Sequence, residues 1–406
     1  MKRAAGALMV ASISLCLSPL AQATTATTTT TEWLPPSREH APDTDACPQA
    51  TWPPEPVSTS ERAASSPTPL AATYDGPCGI TAADGYNVPE EVVASAWLVA
   101  DLDTGDVVAM KDPHGRYRPA SIIKVLLALV VIEELPLDDA VDVSTESANQ
   151  EGSAAGIGAG GQYTVRDLLY GLILNSGNDC AHALAQKLGG DEVALSKVNA
   201  LAAELGMTDT RAASYSGLDA AGMSTSAWDM GLAYREAFTN PVFAEIADTE
   251  SYDFPGFDEL PGFKLWNDNH LYLYDPDGIG GKTGYTDDAN HTFVGAVDHD
   301  GRRLLAVVLD TTAWDHGAWQ QAQMLLHAAY PISPAASVAN LNAPAAEPSP
   351  EPSPTTTPAP VTEEPEKETA TGPRETWLPV AIVAGVAVLA ALAAWLSRRL
   401  GGLGRR

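Results

Sequence analysis

The chain has 406 residues and a formal net charge of −29, with Asp and Glu outnumbering Lys and Arg by 52 to 23. That length holds one large or two ordinary domains. The charge argues against a nucleic-acid partner, because no basic patch precedes the last few residues, and it fits solubility outside the cell better than a cationic ligand.

Residues 1–23 read as a signal peptide: Lys2 and Arg3 form the charged start, 4–20 the apolar core and Ala21-Gln22-Ala23 the small-x-small cleavage site. Cys16 lies inside that core after Leu15, where a lipoprotein would need a small residue. Export implies an oxidising compartment, so a disulfide is expected. Cys47 and Cys78 flank the start of the folded region and are the expected pair; Cys180, early in a predicted helix, reads as a buried free thiol.

Residues 24–73 are rich in Thr, Pro, Ser and Ala without apolar periodicity, which predicts a disordered spacer before a domain spanning 74–332. Residues 95–102 read as a strand, 103–106 as a turn and 107–111 as a returning strand. Next comes Pro119-Ala120-Ser121-Ile122-Ile123-Lys124 and a nearly unbroken apolar run, 125–132. Apolar residues all round predict a buried helix beginning at Ser121. The glycine-rich stretch 152–161 lacks a following G-K-[ST] and reads as a mobile loop at the rim of a site. Thr164 and Asp167 form a capping box for a helix ending near Leu174. Ser176-Gly177-Asn178 joins it to a helix over 179–188, followed by helices over 192–205 and 228–238. Residues 279–286, 291–297 and 302–310 read as three antiparallel strands, with 298–301 as a tight turn, and 314–330 as a closing helix. Strands at both ends and helices between predict an α/β (α+β) domain: an antiparallel sheet built from both termini with an inserted helical subdomain. Residues 333–375 read as a disordered stalk, 377–396 as a transmembrane helix with Trp377 and Trp395 at its ends, and 397–406 as a basic cytoplasmic tail. No L-P-x-T-G precedes the span, which favours a retained anchor over a sortase signal.

Chemistry enters at Ser121 and Lys124. At i and i+3 of one helix start they share a face, a desolvated amine can act as a base, and the unpaired N–H groups there favour an oxyanion. S-x-x-K alone occurs often by chance, since Ser is a common N-cap. Ser176-Gly177-Asn178 is by default a turn, and Lys282-Thr283-Gly284 the end of an edge strand. All three in order, each in fitting local structure, are specific for the serine β-lactamase and penicillin-binding group.

The chain further resembles the D-alanyl-D-alanine carboxypeptidases of the S11 peptidase family. Residues 204–210, Ser216-Gly217-Leu218-Asp219 and 282–289 carry the resemblance, which covers roughly 87–329. Two departures stand out: Asn290 where the family usually has Gly, expected to alter loop shape and not chemistry, and no β-rich domain after the catalytic one. The resemblance implies Ser121 as nucleophile, Lys124 as its base and Ser176 as proton relay to the leaving D-alanine. It implies Asn178 as a holder of the peptide or of Lys124, Lys282 and Thr283 as the clamp on the substrate's terminal carboxylate, and backbone N–H groups of Ser121 and Tyr285, beside Gly284, as the oxyanion hole. The implied partners are peptidoglycan stem peptides ending in D-Ala-D-Ala and, as covalent inhibitors, β-lactams; no cofactor is implied. His182, His270, His291, His299, His316 and His327 show no metal-ligand spacing and read as surface or packing residues. A class A β-lactamase would carry an E-x-x-L-N loop between the second and third motifs, and none is present. A silent wall-binding protein is the other alternative, disfavoured by the intact nucleophile, base and clamp. Transpeptidation stays open, because water and an amine attack the same ester.

Overall fold

The computed structural model describes residues 37–58, 67–259 and 261–342. β1 (Ile80–Ala82), β2 (Ala96–Asp101) and β3 (Asp106–Lys111) precede α1 (Lys124–Glu134). The middle of the chain is helical: α2 (Thr145–Ala148), α3 (Val165–Leu174), α4 (Asn178–Lys187), α5 (Asp191–Glu204), α6 (Ala227–Thr239) and α7 (Pro241–Ala247). Two ribbons interrupt it, β4 (Ala140–Asp142) with β5 (Gln162–Thr164) and β6 (Ser251–Phe254) with β7 (Phe263–Trp266). Then follow α8 (His270–Tyr274), β8 (Gly278–Thr286), β9 (Asn290–His299), β10 (Arg302–Thr311), α9 (Ala318–Ala329) and β11 (Ala339–Asn340).

One antiparallel sheet runs β1-β3-β2-β10-β9-β8, with β11 also paired to β3. Its strands come from both ends of the domain and the helices lie between them in sequence, as the sequence pattern predicts. The sheet is covered on both faces, so its central strands are apolar throughout. Ala96, Leu98 and Ala100 of β2 join one core with α1 and α6, while Trp97 and Val99 join the other with α9. β9 and β10 alternate in the same way: Val294, Ala296, Leu305 and Val307 face the first core, Phe293, Val297, Leu304 and Ala306 the second. α1 is buried from Lys124 through Val131. Fully burying a Leu or Val contributes about 1.5–3 kcal/mol, so its whole circumference anchors it. The turn between β9 and β10 places Asp300 at φ 53° and Gly301 at φ 83°, the left-handed pair of a tight hairpin. Thr164 and Asp167 close the capping box that starts α3.

Four expectations are corrected. α1 starts at Lys124 and not at Ser121, because residues Ala120–Ile123 form a 3₁₀ turn. The closing helix starts at Ala318, where Gly317 donates its N–H to Gln320 Oε1 at 2.8 Å. The predicted spacer is a packed strap over its described part, 37–58 and 67–73. Arg38 pairs with Asp310 at 2.8 Å and Thr44 Oγ1 donates to the Cys78 carbonyl at 2.6 Å. Lys111 donates to the Pro42 carbonyl at 2.7 Å and Cys47 is bridged to Cys78. A proline-rich segment has no period to read, yet its free carbonyls suit buried cations: Arg116 donates to those of Thr51, Leu70 and Ala71. The domain also runs past 332, since β11 pairs with β3 through Ala339 and Asn340.

The expected leader at 1–23, most of the stalk, the apolar stretch 377–396 and the basic tail lie outside the described residues. Among the described residues no helix is long and apolar enough to cross a membrane.

Candidate active site

The turn carrying Ser121 is held from four sides. Tyr117 exchanges backbone hydrogen bonds with Thr225 at 2.8 Å. Thr292 Oγ1 on β9 donates to the Pro119 carbonyl at 2.7 Å, and Tyr234 on α6 donates to that of Ile122 at 2.9 Å. Ala120 takes φ 49°, a left-handed conformation that costs a side-chain-bearing residue about 1–2 kcal/mol and persists only where surroundings enforce it. Gly217 supplies the fourth side: at φ 87°, a Cβ there would come within 2.0 Å of the Ala120 carbonyl oxygen. The kink delivers Ser121 into a 3₁₀ turn, where residues three apart eclipse one another. Lys124 Nζ accordingly lies 2.8 Å from Ser121 Oγ and donates to the Ser216 carbonyl at 2.5 Å.

Lys124 is fully buried. Burial pushes its pKa well below the lysine range and the charge of Lys282 pushes it further, while Asp268, Asp179 and Cys180 push back. Both effects favour the uncharged amine, and the same 2.8 Å would serve a bond in which the hydroxyl donates to the amine lone pair. Lys282 on β8 is 1 % exposed; burial lowers its pKa and Asp268 opposes the shift. Its Nζ donates to the carbonyl and hydroxyl of Thr283 at 3.1 and 3.2 Å.

Gly284 lets edge strand β8 graze the backbone of Ser121: a Cβ there would stand 3.1 Å from Ser121 N and 2.3 Å from Thr292 Oγ1. Tyr285 is half-exposed, with its ring against His291 and its hydroxyl 3.3 Å from Asp287 Oδ1. Ser176, buried and at φ 58°, lies in the α3–α4 turn between Asn175 and Gly177, and Asn178 is the first residue of α4. Asn178 donates from Nδ2 to the Glu151 carbonyl at 2.6 Å and from its backbone to that of Ser153 at 2.7 Å, while its buried Oδ1 has no partner among the described residues. Of the two tasks the resemblance leaves open for Asn178, a bond to Lys124 is not formed here. The glycine-rich stretch, expected to be a mobile loop at the rim of a site, lies against Asn178 at Gly152, and Asp179 pins it, accepting from the N–H groups of Ala155, Gly156 and Ile157 at 2.9, 2.8 and 3.1 Å. Asn290 adopts φ 55°, a conformation Asn tolerates, so the loop keeps a backbone that suits Gly; its Nδ2 donates to Asp310. Cys180 is a buried free thiol whose pKa burial raises.

Sequence reasoning missed the Ser216 carbonyl, the need for Gly at 217 and Asp268. The first two lie in the stretch that carries the resemblance, which could have flagged them. Asp268 sits outside all three motifs, yet its Oδ2 accepts the Thr283 hydroxyl at 3.0 Å and lies 3.9 Å from Lys282 Nζ. Among the described residues no group of three or more His, Cys, Asp or Glu could hold a metal ion.

The sequence profile of peptidase S11, D-alanyl-D-alanine carboxypeptidase, matches residues 83–313. D-alanyl-D-alanine carboxypeptidase DacB2 of Mycobacterium tuberculosis is 44% identical over 252 residues, covering 61% of this chain and 86% of that one. DacF of Bacillus subtilis is 30% identical over 239 residues, covering 57% and 61%. A crystal structure of a D-alanyl-D-alanine carboxypeptidase from M. tuberculosis superposes with TM-score 0.61 at 41% identity, covering 64% of this chain and 99% of that one. The Streptomyces K15 DD-transpeptidase shares the fold at TM-score 0.58 and 25% identity, covering 61% and 100%. The chain belongs to the D-alanyl-D-alanine carboxypeptidase family, peptidase S11, and is a hydrolase of that class.

Proposed function

We propose that the chain removes the terminal D-alanine from peptidoglycan stem peptides by way of an acyl-enzyme on Ser121. The observation that carries this is the buried Lys124 amine 2.8 Å from the Ser121 hydroxyl. Ser121 Oγ bonds to the penultimate D-alanine carbonyl carbon as its proton passes to Lys124. The backbone N–H groups of Ser121 and Tyr285 receive the oxyanion. The C–N bond breaks, and the proton returns from Lys124 through Ser176 to the leaving D-alanine amine. Water adds to the ester carbon, giving its proton to Lys124; the bond from that carbon to Ser121 Oγ breaks, Lys124 returns the proton to Oγ, and the shortened peptide leaves. Lys282 and Thr283 bind the terminal carboxylate by charge and hydroxyl donor. Asn178 Oδ1, without a partner among the described residues, accepts an amide N–H of the bound peptide. A β-lactam is attacked in the same way and leaves an ester on Ser121.

The purified chain is expected to release D-alanine from a D-Ala-D-Ala-ended peptide, and after benzylpenicillin to gain one adduct that maps to Ser121. Ser121→Ala is expected to lose both. Release by the Ser121→Ala chain at the wild-type rate would overturn the reading.

The apolar stretch 377–396, the basic residues after it and the leader at 1–23 support an exported enzyme tethered by its C-terminus. Truncation after residue 376 should move the activity from the membrane fraction to the medium; activity that stays membrane-bound would refute the tether.

A further inference from the structure

Asp268 is mounted with more care than a surface carboxylate needs. Its neighbours Asn267 and Asn269 are both buried. Asn267 Nδ2 donates to the carbonyls of Ala247 and Thr249 at 3.2 and 2.9 Å, and Asn267 Oδ1 accepts the Asn269 N–H at 2.9 Å. The Asp268 N–H donates to the Leu174 carbonyl at 2.9 Å. The side chain so held accepts the Thr283 hydroxyl with Oδ2, while its shielded Oδ1 has no hydrogen-bond partner among the described residues. A carboxylate oxygen without a donor is a cost, and such costs gather where a group serves another purpose.

Two lysines are buried here, and two ammonium groups in one dry cleft repel strongly. Lys282 faces Asp268 and Lys124; Lys124 faces Lys282, Asp268, Asp179 and Cys180. Among the described residues, Asp268 is the one carboxylate within 4.0 Å of Lys282 Nζ, and no carboxylate stands that close to Lys124. The asymmetry is geometric: one anion, fixed beside one of two cations. We propose that Asp268 is a positioning residue that tells the two lysines apart: standing beside Lys282 and farther from Lys124, it keeps Lys282 an ammonium ready for the substrate carboxylate and leaves Lys124 as the free amine of the pair. The Thr283 hydroxyl bond holds Asp268 in that place. The inference rests on the roles proposed above for both lysines and adds the group that tells them apart.

The test is the pH profile of kcat/KM for a D-Ala-D-Ala-ended peptide, measured for the wild-type chain, Asp268→Asn and Asp268→Glu, with thermal unfolding of each. The acid limb reports Lys124, which must be neutral, and the alkaline limb Lys282, which must be charged. Removing an anion disfavours the protonated form of each lysine, so in Asp268→Asn both limbs move to lower pH. The alkaline limb moves more, by about 1 pH unit, the low end for an opposite charge at this distance beside a partly exposed carboxylate. Above the shifted limb the loss is about tenfold and falls mainly on KM. Asp268→Glu restores the alkaline limb, which a merely structural role would not. Profiles that superimpose apart from a uniform loss, in folded variants, would overturn the proposal. A wild-type chain that released no D-alanine at any pH would instead overturn the reading beneath it.

Discussion

Lys124 and Asp229 are both fully buried ionisable groups, and burial drives both toward their neutral forms. What surrounds them differs. Asp229 accepts the Asp209 N–H at 2.8 Å and the Thr210 hydroxyl at 2.7 Å. Asp209 in turn holds His114 at 2.8 Å and Arg116 at 3.4 Å, and Arg116 gathers three carbonyls of the strap. That cluster ties α6, the strap and the approach to Ser121 into one framework. The cleft around Lys124 is sparer: one hydroxyl, one carbonyl, a second lysine and an anion mounted off to one side. Asp229 Oδ1 and Arg116 Nε have no partner among the described residues, yet the bonds the cluster does make join several segments and rigidify them, whereas the cleft with fewer ties and capacity to spare can take up a substrate. The two clusters should therefore fail differently when cut.

The largest expected effect is in the spare one. Lys124→Met keeps the side-chain volume and removes the proposed base. General-base catalysis contributes about 10²–10⁴-fold, so D-alanine release and penicillin acylation should both fall by about that much. A buried amine replaced by a thioether chain leaves no uncompensated charge, so the unfolding midpoint should hold or rise. A Lys124→Met chain that kept its activity, or one that lost cooperative unfolding, would erase the contrast.

The framework gives the opposite outcome. The bridge between Cys47 and Cys78 spans a sequence separation of 31. Closing a loop of that size contributes about 3–4 kcal/mol in the chain-entropy account. Cys47→Ser should lower stability by about that amount in urea unfolding. The hydrogen bonds given above for Ser121 and Lys124 run to each other and to Ser216, outside the strap, so the folded variant should retain its turnover. Loss of turnover without loss of stability would mean that the strap belongs to the site.

The same contrast explains what can be read from the chain. The spare cluster shows through because its key pieces are local: Ser121 and Lys124 share one turn, and Lys282, Thr283 and Gly284 follow one another on one strand. The helix after Ser121 is equally plain, because the apolar run 125–132 leaves no other reading. Hidden are the contacts closed by the fold. Ser216 meets Lys124 from 92 positions away and Thr292 meets Pro119 from 173 away. The left-handed turn at Ala120 has no signature of its own, since Ala is not a residue one expects there; its neighbour Gly217 enforces it from a distant segment. The order of the strap is hidden for the same reason, because what holds it is the carboxylates and guanidinium groups of other segments. Asp288, for one, accepts the Ser58 N–H at 2.7 Å and hydroxyl at 2.6 Å.

The smallest expected effect sits where the two clusters adjoin. Asp112, at φ 44°, accepts the Tyr117 hydroxyl at 2.7 Å just ahead of the Ser121 turn, and its Oδ1 has no partner among the described residues. Burial raises its pKa to about 6, against the opposing Tyr117 bond and the charges of Lys111 and His114. A carboxyl raised above its unfolded value binds more protons in the folded chain, so stability falls as pH rises. Its contribution is complete below the ordinary Asp value and is lost as pH climbs through about 6. The rise from the ordinary Asp value to about 6 bounds the effect at roughly 3 kcal/mol. Asp112→Asn keeps the shape and cannot ionise, so its stability should be flatter than wild type between about pH 4 and pH 6.5. Urea midpoints across that window measure the slope, and activity at neutral pH should hold. An unchanged slope would show that the carboxyl ionises freely, and that the approach to Ser121 is held by Thr292, Tyr234 and Gly217 without help from Asp112.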